Sequence, residues 1–251
     1  MRWLRFYHNG ANYQGFLENE RVRAVSGDMF SGRYRETGLA APLAEVALDT
    51  PCRPTKIIGI GLNYRDHAAE LNLPLPREPV MFLKPPSSLL APGVPIIRPA
   101  MASRVDYEAE LAVVIGRTAS RVSVSEAPKF VFGLTCANDV TARDLQQADQ
   151  QWTRAKSFDT FCPLGPWIDT ELNPADLEIV LTVNGTVRQQ SRTSRMQFGV
   201  AELVAYTSRV MTLLPGDVIL TGTPAGIGPL HSGDTVTVSI PELGELTNPV
   251  V

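Results

Sequence analysis

Two glutamates set two residues apart, Glu108 and Glu110, stand near the start of Asp106-Tyr-Glu-Ala-Glu-Leu-Ala-Val-Val-Ile-Gly-Arg117. The rest of the segment is apolar and reads as a strand buried on both faces. Residues two apart on a strand share a face and lie about 7 Å apart along it. Two carboxylates held side by side against an apolar run repel each other, and a divalent cation between them relieves the repulsion. A third acid, Asp139, closes another apolar run, Val131-Phe-Gly-Leu-Thr-Cys-Ala-Asn-Asp139, at the end of a strand, where sites are commonly built. Three carboxylates make a hard, oxygen-only donor set that suits Mg2+, Mn2+ or Ca2+ better than zinc. On pattern alone the same residues also fit a solvated strand face followed by a capped turn.

Other polar groups fall where chemistry could use them. His67 and Glu70 are three residues apart on a short helix-like segment, Asn63–Asn72, and so share a face. A carboxylate beside an imidazole orients it and raises its basicity, as an acid/base pair requires. Lys156 sits in Arg154-Ala-Lys-Ser-Phe-Asp159, near Trp152; a surface lysine is the plain alternative. Arg143 and Gln146 follow Asp139 on a polar segment, Thr141–Gln151, compatible with a helix. Thr221-Gly-Thr-Pro-Ala-Gly-Ile-Gly228 is a loop rich in hydroxyls and free amides, able to cradle an anionic oxygen or to serve as a simple turn. Cys162 has no base beside it in the sequence and is not read as a nucleophile. His8 and His231 belong to no motif.

The elements that must position these groups are mostly strands. Trp3–Phe6, Tyr13–Leu17 and Arg21–Val25 alternate in hydropathy and predict a small antiparallel meander, with one more strand over Leu43–Leu48. Asp49-Thr-Pro51 and Pro54 mark a boundary, giving a small N-terminal β section over 1–50 and a main section over 51–251. The main section begins with buried strands at Lys56–Leu62 and Val80–Lys84, separated by prolines 74, 76 and 79. Later strands are expected at Leu177–Val183, turning at Asn184-Gly185, and at Asp217–Gly222 and Asp234–Ile240. Val200–Leu213 carries helical periodicity. Strands and helices do not alternate as a doubly wound fold requires, and Gly59-Ile-Gly61 fails the dinucleotide fingerprint because Tyr stands at 64. The expected class is mostly β with short helices.

Composition narrows the classes further. The 251 residues are 44% hydrophobic and carry a net charge of −3, so no basic surface argues for nucleic acid. No apolar run is long enough for a membrane span, and the first residues, MRWLRFYHNG, lack the apolar core of a secretion signal. Three scattered cysteines fit reduced thiols, and a cytoplasmic protein is expected.

With these pieces assembled, the chain resembles the fumarylacetoacetate hydrolase family in its shorter branch, over roughly residues 56–240. The matching segments are Gly61-Leu-Asn-Tyr-Arg-Asp-His67 with Glu70, Phe82-Leu-Lys-Pro85, Asp106–Leu111, Asn138-Asp139 with Arg143-Asp-Leu-Gln146, Trp152 with Arg154–Asp159 and Pro163–Pro166, and Leu220–Gly228. The resemblance implies a mixed β-sandwich roll, commonly a homodimer, with Glu108, Glu110 and Asp139 binding a divalent metal, usually Mg2+. It implies that His67 and Glu70 lie on a mobile lid and activate water, and that Thr223 touches substrate. Three carboxylates and one Mg2+ leave a charge of −1, and a 2-oxo acid adds more; Lys156 would offset it and hold the substrate carboxylate or a developing enolate. Arg143 and Gln146 are weaker candidates for substrate contact. The expected chemistry passes through a metal-stabilised enolate of a 2-oxo or 2-hydroxy-2-ene acid. The short leader resembles isomerase/decarboxylase enzymes of aromatic catabolism. The alternatives are acylpyruvate hydrolysis, including the fumarylpyruvate type, and oxaloacetate decarboxylation or tautomerisation. A non-catalytic ligand-binding protein is a reading from another class.

Overall fold

In the computed structural model, which describes residues 1–251, the chain is built on strands, and the longest sheet runs through the whole molecule. At one end lies the N-terminal meander: β1 (Arg2–His8), β2 (Ala11–Glu18), β3 (Arg21–Asp28) and β4 (Arg33–Pro42). The expected strand over Leu43–Leu48 is instead a 3-10 turn at Leu43–Glu45 and a short β5 (Ala47–Asp49), which pairs with β1. Pro42 precedes that turn with its backbone extended.

The sheet continues through the main section. It holds β6 (Ile57–Gly61), β7 (Val80–Lys84), β8 (Leu89–Leu90), β10 (Ala109–Ile115), β11 (Val131–Asn138), β13 (Cys162–Asp169) and β16 (Val218–Leu220). Its path is β4-β3-β2-β1-β13-β11-β10-β16-β6-β7, with β8 beside β13. A three-stranded sheet joins β9 (Val105–Tyr107) to β12 (Thr141–Ala142) and β17 (Gly228–Pro229). A four-stranded sheet in the order β15-β14-β18-β19 contains β14 (Glu178–Val183), β15 (Thr186–Arg192), β18 (Thr235–Ile240) and β19 (Gly244–Pro249). The β14–β15 hairpin turns on Asn184 (φ 53°) and Gly185 (φ 76°), two left-handed residues in succession, as a tight hairpin demands. The last strand had no clear sequence signal, because Gly244–Pro249 mixes polar and turn residues.

Two cores explain why β10 is apolar throughout. Leu111, Val113 and Ile115 point into a cluster that includes Leu181, Val236 and Val238 of the four-stranded sheet. Ala112 and Val114 point the other way, into a cluster with Trp3, Phe16 and Val218. A strand sandwiched in this manner reads as a continuous hydrophobic run rather than an alternating one. The strand expected over 106–117 is nevertheless two strands. It breaks at Glu108, whose N–H is taken by the side-chain oxygen of Asn138 at 2.9 Å instead of by a ladder partner. That break sends β9 to a different sheet and turns Glu108 toward the cleft.

Helices are short. They are α1 (Arg65–Glu70), α2 (Arg143–Asp149), α3 (Thr153–Lys156) and α4 (Val200–Val210). The helix-like segment Asn63–Asn72 is helical over its middle only. Asn63 is spent elsewhere, tying the end of β6 to the carbonyls of Phe198 and Thr221 at 3.0 and 2.7 Å. No helix is long and apolar enough to cross a membrane.

Candidate active site

Glu108, Glu110 and Asp139 converge. Each offers a carboxylate oxygen, these oxygens lie within 4.8 Å of one another, and all three residues are buried. Glu108 comes from the break between β9 and β10, Glu110 from β10, and Asp139 from the end of the adjacent β11. Register brings them together: Glu110 pairs with Ala137, and the N–H of Asp139 donates to the carbonyl of Glu108 at 2.9 Å.

Each acid has a different set of partners. Lys156, on α3, bridges two of them, donating to Glu108 Oε2 at 2.8 Å and Asp139 Oδ2 at 2.5 Å. Arg143, at the start of α2, pairs with Glu108 Oε1 and donates from Nη1 to Gln146. Glu110 receives one backbone N–H, from Gly222 at 2.5 Å. The electrostatics follow. Burial works against ionising Glu108, but Lys156, then Arg143 and His67, outweigh it and hold the carboxyl well below its usual range. Burial, then Asp139 and Glu108, push Glu110 well above its usual range. Burial also opposes the charge on Lys156, yet Asp139 and Glu108 more than compensate, so its ammonium is held above its normal value. The plain alternative of a surface lysine is therefore overturned: Lys156 is 2% exposed.

These residues fit a divalent cation. The donor set is all oxygen, and Glu110 faces two other carboxylates with one N–H for relief. A buried carboxylate with so little compensation is stable only with a proton or a cation beside it.

Sequence reasoning left three polar groups of this centre without a role. Lys84, the last residue of β7, is 1% exposed and donates to Asp139 Oδ1 at 2.6 Å. Its signal was present, since a lysine closing the apolar run Val-Met-Phe-Leu ahead of Pro85 is costly to bury unpaired. Asp106 accepts from Arg143 Nε at 2.9 Å and from Arg104 Nε at 2.8 Å. It is thus the anchor of Arg143. Gln189 of β15 accepts from the Ala109 N–H at 2.9 Å and donates to Thr223 Oγ1 at 2.8 Å, tying the hydroxyl loop to the start of β10. Nothing in its sequence neighbourhood marked it.

His67 and Glu70 form the opposite wall. His67 Nδ1 lies 3.0 Å from Glu70 Oε2, and Glu70 Oε1 accepts the Gly226 N–H at 3.0 Å. A carboxylate only accepts, so the Nδ1 facing it carries the hydrogen, and in the neutral form of the ring the lone pair lies on Nε2. The amides of the 221–228 loop that looked able to cradle a ligand oxygen are in part committed to the protein itself, Gly222 to Glu110 and Gly226 to Glu70.

A cleft of about 240 Å3 joins the two walls. His67, the three acids, Arg143, Gln146, Lys156 and Thr223 all line it. Its remaining surface is largely apolar, with Phe82 and Trp152 packed edge to face at 5.4 Å. Gly59 and Gly61 of β6 make room for those rings. A Cβ on Gly59 would stand 2.1 Å from Phe82, and one on Gly61 2.5 Å from Trp152. The three thiols, Cys52, Cys136 and Cys162, are buried and pushed up to about 12 by burial, which agrees with a non-nucleophilic Cys162.

A mostly-β roll with a cleft lined by three converging buried carboxylates, by Lys156 and by a His67 paired with Glu70 defines a class of metal-compatible enzyme-like proteins. Comparison with known proteins makes this specific. Residues 56–251 match the family model described as fumarylacetoacetate (FAA) hydrolase C-terminal, and residues 1–51 match Rv2993c-like, N-terminal. The chain belongs to the fumarylacetoacetate hydrolase family. It is similar to the structure of a 2-hydroxyhepta-2,4-diene-1,7-dioate isomerase from Mycobacterium marinum, with 46% identity, a TM-score of 0.93, and 100% of this chain and 98% of that chain covered. A mitochondrial oxaloacetate tautomerase, FAHD2A of Bos taurus, is 44% identical over 223 residues, covering 84% of this chain and 71% of the relative. A fumarylpyruvate hydrolase from Pseudomonas aeruginosa, solved with Mn2+ and pyruvate, is 33% identical with a TM-score of 0.76, covering 80% of this chain and 91% of that one.

Proposed function

We propose that this protein is a Mg2+-dependent enzyme that moves a proton on a 2-oxo or 2-hydroxy-2-ene carboxylic acid, as an isomerase or tautomerase, with decarboxylation as the related outcome. The observation that carries the reading is that His67, paired with Glu70, lines the same cleft as the carboxylate triad. Glu108, Glu110 and Asp139 would hold the cation, which when bound supplies Lewis-acid polarisation of the substrate's oxygens. Lys156 would orient the substrate carboxylate and offset the charge of an enolate. Arg143 and Gln146 would contact the same end, with Arg143 fixed in place by Asp106. His67 Nε2 would accept a proton from the carbon beside the 2-oxo group and return one at the other end of the enol, so that no atom is lost. Glu70 would hold the imidazole in that tautomer. Thr223, steadied by Gln189, would border the substrate.

The relatives' names support this span of chemistry: a tautomerase and an isomerase, and a hydrolase whose structure holds Mn2+ and pyruvate. The hydrolase suggests a second reading, in which the His67–Glu70 pair activates water for C–C cleavage. Incubation with oxaloacetate, acetylpyruvate and a hydroxymuconate-type diacid, each with and without Mg2+, separates the outcomes. Rearranged product with carbon count intact supports proton transfer. Acetate from acetylpyruvate supports cleavage instead, and binding without turnover of any of them defeats the enzymatic reading.

A further inference from the structure

Charge in the cleft is confined to its inner end. With Glu110 counted as ionised, the acids Asp106, Glu108, Glu110 and Asp139 are matched by the cations Lys84, Arg104, Arg143 and Lys156, so the cluster is balanced. A divalent cation would add two positive charges, which one substrate carboxylate and the oxygen of a developing enolate would offset. Arg143 and Lys156 are the only lysine or arginine side chains lining the cleft, and both are already paired with acids.

The outer half is built differently. Phe82 and Trp152, packed edge to face, form one side, with their ring edges against β6 where Gly59 and Gly61 carry no side chain. The Lys156 ammonium lies over the Phe82 ring at 5.0 Å, which marks where the charged end begins. Leu62, and Leu71 and Leu73 from the segment after α1, supply more apolar surface. His67 lines the cleft with these residues and is itself paired with the carboxylate Glu70. A second carboxylate reaching this half would lose water and find no cation free of an acid partner, since Arg143 and Lys156 are both engaged. An uncharged chain would bury apolar surface against the rings and leucines.

We propose that Phe82, Trp152, Leu62, Leu71 and Leu73 form a specificity-determining tail subsite, and that it selects 2-oxo acids with a single charged end and an uncharged tail against long diacids. The inference rests on the 2-oxo acid reading given above and narrows it. It sets this chain apart from a protein acting on a heptadiene-1,7-dioate, despite the similarity of fold. The role of the paired glycines follows as well: their lack of side chains gives the aromatic wall its place.

Calorimetric titration of the Mg2+-loaded protein with pyruvate, 2-oxoheptanoate and 2-oxoheptanedioate tests the subsite. 2-Oxoheptanoate should bind at least about tenfold more tightly than 2-oxoheptanedioate. Trp152→Ala should shrink the advantage of 2-oxoheptanoate over pyruvate. Leu73→Arg, at a position 47% exposed and so tolerant of change, should strengthen binding of the diacid by giving it a cation. Equal or tighter binding of the diacid by the unaltered protein, with pyruvate still bound, overturns the tail subsite alone. Absence of Mg2+-dependent binding of pyruvate overturns the 2-oxo acid reading together with it.

Discussion

The two walls of the cleft hold their functional groups by different means. On the inner wall, every charged side chain is fixed by at least one other charge or backbone group, and the acids stand on or beside central strands. On the wall of α1, which we propose acts as the lid, one short helix carries His67, and Glu70 is tied to the rest of the protein through the Gly226 N–H. The inner wall is expensive to assemble, since it buries several charges, and it is stable only as a complete set. We propose that the lid wall, tied down through the His67–Glu70 and Glu70–Gly226 hydrogen bonds, is the easier of the two to displace. A site that must keep a cation in place while admitting and closing over a substrate needs both kinds of wall.

The largest effect is expected where the inner wall loses an acid. Glu108→Ala removes a cation ligand and also strands Lys156 and Arg143, so Mg2+ binding and turnover should disappear together. Calorimetry for the metal and product analysis for turnover check this. Full activity of that variant after exhaustive chelation would break the division between the walls, because the triad would then have no catalytic purpose. On the lid wall, His67→Asn should leave Mg2+ affinity near the parent value while turnover falls about 10²–10⁴-fold, the usual worth of a positioned acid/base group. A matching loss of metal affinity in that variant would show that the two walls are not separable.

A subtler contrast lies in the lysines. Lys156 faces the cleft, whereas Lys84 backs Asp139 from β7 and does not line the cleft. Lys84→Met should therefore weaken Mg2+ binding through a misplaced Asp139, by about 10–100-fold as is usual for outer partners of metal ligands. Lys156→Met should instead depress turnover more than metal affinity. Identical behaviour of the two variants would mean that both lysines serve only to balance charge.

How much of this was legible in the sequence follows the same division. Glu108, Glu110, Asp139, His67 and Glu70 could be named because each stands in a short local pattern: a spacing of two on a strand, three on a helix, or a strand end. Lys156 was reached only through the resemblance of its segment to the family and a count of charges. The strand order, in contrast, depends on pairings between residues far apart, such as Arg2 with Asp169 and Ile57 with Val218. No local periodicity encodes these. The break at Glu108 was hidden for a related reason, since its cause is the side chain of Asn138, thirty residues away. Gln189 is the extreme case, a buried polar residue in a mostly exposed hairpin strand. Gly59 and Gly61 were read against a nucleotide motif, and Gly61 also as the start of a family-like segment, but neither reading showed that they accommodate Phe82 and Trp152.

Acidity offers a smaller test of the inner wall. Burial, with Asp139 and Glu108, holds the Glu110 carboxyl well above its ordinary range, so the metal-free folded protein keeps a proton that the unfolded chain releases. For a carboxyl raised in this way, stability is fully present below the unfolded pKa and is lost as pH climbs toward the folded value. The chelated protein should lose up to about 1.4 kcal/mol per pH unit over that window. Added Mg2+ takes the place of the proton, so its stabilising effect should widen as pH rises. Thermal unfolding of the parent and of Glu110→Gln, with and without Mg2+, checks the assignment. A Glu110→Gln protein that keeps the parent's slope would place the proton elsewhere.

The smallest expected signal comes from Cys162, and it bears directly on how rigid the inner wall is. This thiol on β13 is fully buried, and the charges that act on it include Lys84, Asp139 and Glu110, so it lies within electrostatic reach of the triad. Burial pushes it up to about 12, and the small thiolate fraction at neutral pH makes it a poor nucleophile. A neutral thiol reagent should therefore leave the native protein unmodified at pH 7 and label all three cysteines after denaturation. Mass mapping of labelled peptides over time gives the measurement. Labelling at Cys162 would have to pass through an opening of β13 and its neighbours, so its rate reports motion of the inner wall and not of the lid. If Cys162 reacted in the native protein as fast as in the unfolded chain, the inner wall would be as mobile as the lid, and the contrast between a fixed metal wall and a movable acid/base wall would fail.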